Sequence, residues 1–71
     1  MTPSQYQALE DIARSGNPWA RVHGQAQHGG WAGVIHVIQR EGWACRDAHG
    51  WNVTEAGKVA MQQYEEKRKK R

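Results

Sequence analysis

Three stretches of this 71-residue chain carry apolar residues at intervals of three and four, and between the second and third lie two short runs in which large residues alternate with smaller or polar ones. Intervals of three and four line up along one side of a 3.6-residue helix, whereas alternation fills one face of a strand. The first stretch sets Tyr6, Leu9, Ile12 and Ala13 on one side, with Gln7, Glu10, Asp11 and Arg14 elsewhere. Its start is marked by Thr2 as cap, Pro3 at the first helical position and Gln5 reaching back to complete a capping box. Ser15-Gly16-Asn17-Pro18 ends it. The central stretch runs from Trp31 to Glu41, with Trp31, Val34, Ile35 and Ile38 as the apolar side, Val37 off that stripe and partly exposed, and Gly42 closing the helix. Two strands follow, Trp43 to Arg46 and Trp51 to Thr54, joined by a four-residue turn, Asp47-Ala48-His49-Gly50. Trp43 and Cys45, then Trp51 and Val53, take the packed positions. Thr54 caps a last helix that opens on Glu55, a carboxylate in the first turn where the helix dipole favours it. That helix is expected to bury Ala56, Val59, Ala60 and Tyr64, with Met61 at the edge of the stripe, and to fray beyond Glu66.

Between the first and central helices the pattern is ambiguous. Ala20, Val22 and Ala26 could pack from a turn and a half of helix, but Gly24 sits inside it and costs about 1 kcal/mol relative to alanine. The short helix is the expectation, and an extended piece from Trp19 to Val22 followed by a helical turn near Gln25 is the alternative. His28-Gly29-Gly30 then reads as the turn into the central helix.

A chain of this length buries only a modest core, so the four tryptophans, each able to bury roughly 150–250 Å², supply most of its aromatic volume. Trp31, Trp43 and Trp51 match the inferred buried faces, while Trp19, in a loop after Asn17-Pro18, is the candidate for an exposed contact. The net charge of +3 conceals an asymmetry. Residues 1–66 hold five basic against seven acidic residues, and residues 67–71 are all basic. The expected division is thus a nearly neutral folded domain, 1–66, and a basic, disordered tail, 67–71. A single cysteine allows no internal disulfide, no apolar run approaches a membrane span, and the start lacks a signal peptide's basic and apolar regions. These features lead to the expectation of a soluble cytoplasmic protein without a membrane partner.

The order of elements, together with Arg40-Glu41-Gly42-Trp43 at the close of the central helix and Trp51-Asn52-Val53-Thr54-Glu55-Ala56-Gly57 leading into the last one, resembles the winged helix-turn-helix domains of MarR-like and small phage or prophage regulators. The likeness covers residues 3–64 and implies an α+β, mainly α fold: three helices, a two-stranded β-hairpin wing and a C-terminal helix. In that family the third helix enters the DNA major groove and the wing touches the backbone or minor groove. The resemblance therefore implies a groove-facing side made of Ala32, Gly33, His36, Gln39 and Arg40, with arginine suited to guanine and glutamine to adenine. Gly29, Gly30 and Gly33 would let a phosphate backbone approach the free N–H groups of the helix start, and His28 beside them is a further candidate binding residue. Arg46 and His49 would sit at the wing, and Lys67, Arg68, Lys69, Lys70 and Arg71 would add salt-sensitive attraction.

The chain departs from such readers in carrying one arginine on the central helix and one on the hairpin. Duplex affinity depends on phosphate neutralisation, so a dimer on a short palindromic site is the expected binding form. The expected function is transcriptional control through duplex DNA. The rival is a winged-helix module that binds protein, such as a phage-encoded inhibitor of a host polymerase or defence complex. Neither a metal nor another cofactor is expected, because Cys45 and His49 make at most half a site and structural zinc needs four ligands. Nor is an enzyme, since a nucleophilic Cys45 would have to be exposed and in electropositive surroundings.

Overall fold

A computed structural model describes residues 1–19 and 25–69. The expectations for Ala20, Val22 and Gly24, for Lys70 and Arg71, and for the side chains of Ala26, His28 and Lys69 lie outside the described residues. Within them the order is α1 (Pro3–Ser15), α2 (Gln25–Arg40), β1 (Ala44–Asp47), β2 (Gly50–Val53) and α3 (Glu55–Lys69), a small, mainly helical α+β domain.

Helix α1 begins as its sequence dictates. The Gln5 N–H donates to Thr2 Oγ1 at 3.2 Å and the Thr2 N–H donates to Gln5 Oε1 at 3.0 Å, so the capping box is complete. Gly16, left-handed at φ 73°, ends the helix and donates to the Ile12 carbonyl. α1 is the hub of the fold, packing against α2, β2 and α3. That position explains two departures from the single apolar stripe. Ala8, Leu9 and Ile12 are buried, whereas Ala13 is exposed. Asp11, expected off the apolar side, is buried, and Gln7 Nε2 donates to its carboxylate at 3.1 Å. A helix covered from several directions buries polar groups beside its stripe, provided they find partners.

The largest correction concerns α2. It is one continuous helix from Gln25 through Gly29 and Gly30 to Arg40, so no turn at His28-Gly29-Gly30 separates it from a weaker helix. Neither Gly30 nor Gly33 has a positive φ, and a methyl group at either would meet open space. The two glycines are thus ordinary helical residues, weak in propensity and held by the helix around them. The apolar side behaves as read: Ile35 and Ile38 are buried and Trp31 and Val34 half-buried, with Val37 partly exposed. Trp31 Nε1 donates to the carbonyl of fully buried Pro18 at 2.6 Å, tying α2 to the loop after α1.

The exit from α2 is tightly specified. The Trp43 N–H reaches the Ile38 carbonyl at 2.9 Å and the Gly42 N–H the Gln39 carbonyl at 3.0 Å, a Schellman motif. Gly42 stands at φ 76°, which a side chain would resist. Because Trp43 belongs to this turn, the first strand starts one residue later than its size implies. Ala44 pairs with Val53, Arg46 with Trp51 and Cys45 with Asn52. Ala44 is therefore the buried strand residue and Cys45 faces solvent, reversing the expectation for the thiol. A one-residue shift in a strand turns every side chain to the other face. The turn is also shorter than expected, only Ala48-His49, since Asp47 and Gly50 pair as strand residues. Asp47 braces it: one carboxylate oxygen accepts from the His49 N–H at 2.8 Å and the other from Asn52 Nδ2 at 3.2 Å.

Thr54 joins hairpin to α3. Its Oγ1 accepts from the Gly57 N–H at 3.0 Å and donates to the Gly42 carbonyl at 2.5 Å, while its N–H donates to the Trp43 carbonyl at 3.0 Å. A Cβ on Gly57 would lie 2.1 Å from that Trp43 oxygen. The bare glycine thus faces inward and sets the rotation of α3. Gly57, Ala60, Met61 and Tyr64 form its inner side; Ala56 and Val59, expected to be buried, are exposed. The helix also continues to Lys69 rather than fraying beyond Glu66. Trp31, Trp43 and Trp51 pack half-buried around a core of Ala8, Leu9, Ile12, Ile38 and Ala44.

Candidate nucleic-acid interface

The outer side of α2 is polar and wet. Gly30, Gly33, His36, Gln39 and Arg40 are exposed and Ala32 half-exposed. On a helix Gly33, His36 and Arg40 fall within one side, one and two turns apart, so the bare backbone at Gly33 and the side chains of His36 and Arg40 share a surface. His36 and Gln39 each offer donor and acceptor groups and Arg40 a fork of donors. Arg40 is 3.7 Å from Glu41, with side-chain exposures of 63% and 46%. At that distance in open solvent the carboxylate screens the cation without holding it.

The expected approach of a phosphate to the double glycine has no free helix start to receive it. With α2 beginning at Gln25, the N–H groups of Gly29 and Gly30 belong to the helix ladder rather than to its first four unpaired donors. Arg46 and His49 are exposed on the hairpin, Arg46 on the face it shares with Trp51 and His49 at the turn. Lys67 and Arg68 are exposed on the last turns of α3. The site residues on α2, on the hairpin and on α3 thus stand on three elements. The first two are joined directly through the turn at Gly42.

A second surface escaped the sequence reading. The start of α1 and the end of α3 bound an open cleft of about 670 Å³ lined by Tyr6, Gln7, Glu10, Tyr64, Lys67 and Arg68, with Pro3 at its rim. The Tyr6 and Tyr64 rings lie 4.9 Å apart at 32°, and the Tyr6 hydroxyl donates to Glu65 Oε1 at 2.5 Å. That bond, then burial, then the charges of Glu65 and Glu10 push the Tyr6 phenol up to about 12. Arg68 lies over the Tyr64 ring, 5.7 Å from its centre. Each tyrosine is visible in sequence as a stripe residue, but no local spacing links Tyr6 to Glu65, 59 residues further on.

Among the described residues no group of three or more His, Cys, Asp or Glu could hold a metal ion, and no helix is long and apolar enough to cross a membrane. No protein-family model matches the chain, and neither a curated protein nor a solved structure is significantly similar to it.

Proposed function

We propose that this protein is a small DNA-binding regulator of winged-helix type, in which the outer side of α2 reads the major groove and the hairpin follows the adjoining backbone. The observation that carries the reading is an exposed polar side on α2, with His36, Gln39 and Arg40 in the open, followed directly by a short hairpin bearing exposed Arg46 and His49. Base edges are read by side chains of this kind, and arginine at a hairpin suits phosphate. Residues 1–66 are close to neutral, so affinity for duplex DNA rests on the basic residues from Lys67 onward and on pairing of two copies. Selection from a random duplex library tests this. The native chain should enrich a short motif, and a His36→Ala, Arg40→Ala variant should still bind at low salt while losing that enrichment. Equal enrichment by both proteins would overturn the assignment of α2.

One observation favours a second reading, a module that docks on a host protein complex. The body of the chain lacks the positive surface usual in duplex binders, and Val59, 50% exposed on the outer side of α3, is a position at which a protein contact can be probed. Absence of any duplex binding at low salt, with nuclease-resistant capture of a defined protein complex that Val59→Glu abolishes, would favour it over the first.

A further inference from the structure

The cleft between α1 and α3 is not used by the α2 and hairpin surface, yet it determines how the basic end of the chain is presented. Two contacts fasten α3 there, the Tyr6 hydroxyl on Glu65 and the Tyr6 ring beside Tyr64, and within α3 the Arg68 guanidinium lies over the Tyr64 ring. The contacts to α1 stand just before Glu66, beyond which the sequence of α3 would leave it to fray, and α3 remains helical to Lys69. Glu65 also stands three residues before Arg68, a spacing at which carboxylate and guanidinium pair on a helix surface. Bound by Tyr6, the carboxylate is held toward α1 while the guanidinium lies on the tyrosine ring.

We propose that Tyr6 is a positioning residue that fixes the last turns of α3 as a rigid arm, whose Lys67 and Arg68 contact backbone phosphates of duplex DNA; this rests on the DNA-binding reading above. A cationic arm already ordered in its helix loses less freedom on binding than a loose tail. Removing the Tyr6 hydroxyl acts twice. It frees the end of α3, and it leaves Glu65 able to turn toward Arg68 and cancel its charge.

The test is a titration of random-sequence duplex DNA with the full chain between about 50 and 200 mM salt, combined with amide exchange over residues 64–69. Lys67→Ala with Arg68→Ala should reduce the slope of log affinity against log salt by about 1.8, at roughly 0.9 per phosphate contact. Tyr6→Phe, which keeps the ring, should weaken binding by about threefold and speed exchange over residues 64–69 by about tenfold. Glu65→Gln accepts the same hydrogen bond without the charge, so it should keep slow exchange and bind at least as tightly as the native chain. Duplex binding whose salt slope survives the loss of Lys67 and Arg68 would remove the arm and leave the α2 reading standing. Faster exchange in Tyr6→Phe with unchanged affinity would reduce Tyr6 to a structural role. A native chain that binds no duplex at the lowest salt would overturn this proposal and the DNA-binding reading together.

Discussion

Gly57 shows how one missing side chain can govern a domain. The Trp43 carbonyl lies where its Cβ would be, at 2.1 Å, with Val53 Cγ1 at 2.8 Å, and the same oxygen accepts the Thr54 N–H. Neither the backbone oxygen nor the cap can move without the other. Gly57→Ala should therefore destabilise the protein by about 3 kcal/mol or more, at the upper end of overpacking costs. Denaturant unfolding measures it, and a loss below about 1 kcal/mol, the scale of a lost cap alone, would mean that hairpin and helix part easily. The glycine also accounts for a failure of the hydrophobic pattern. A stripe search on α3 gives weight to Val59, its only branched residue, yet the close contact is made at Gly57, which has no side chain to register. Thr54 and Gly42 were legible because caps act through neighbours in sequence. Gly57's role comes from a carbonyl fourteen residues earlier, which no local rule contains.

The elements follow a related division. The capping box, the stop at Gly16, the Schellman turn at Gly42 and the cap at Thr54 stand where the sequence predicts them, since each is closed by groups within a few residues. The start of α2 does not, because glycine pairs signal a turn by propensity, and propensity yields to the context in which a helix is held. Gly30 and Gly33 have ordinary helical backbone with open space where a methyl would go. Gly30→Ala and Gly33→Ala should each stabilise the protein by about 0.5–1 kcal/mol. Thermal unfolding checks this, and a destabilisation at either position would mean that a partner surface or a bend depends on the bare backbone. Gly33 adds a functional contrast. If α2 approaches a phosphate or base edge there, the alanine variant should gain stability and lose affinity together.

At the scale of the whole molecule, the Tyr6 bond to Glu65 joins the first helix to the last. The phenol is pushed up to about 12 from its model-peptide value of 10.0, chiefly by that bond. The folded chain thus favours the protonated phenol more than the unfolded chain does. Its stabilising contribution is complete below about pH 10 and is lost as pH rises toward 12. The denaturant midpoint, followed upward from neutral pH, should fall above about pH 10, and less steeply in Tyr6→Phe; equal falls in both proteins would show that the bond does not link the ends in solution. The mainly helical α+β character and the helix–hairpin–helix order of the second half could be read from periodicity, while the separate weak helix expected before α2 could not be sustained; nor could this closure be read, since helix stripes give directions rather than partners. Cys45 was misplaced for a similar reason: the bulk of Trp43 set the alternation, whereas the turn at Gly42 starts the strand one residue later. The correction has a practical outcome. The protein's one thiol projects from the far side of the ribbon, opposite Ala44 and Trp51, so a maleimide dye would attach to the unmodified chain at a single known address and report on the hairpin's surroundings with the core left intact.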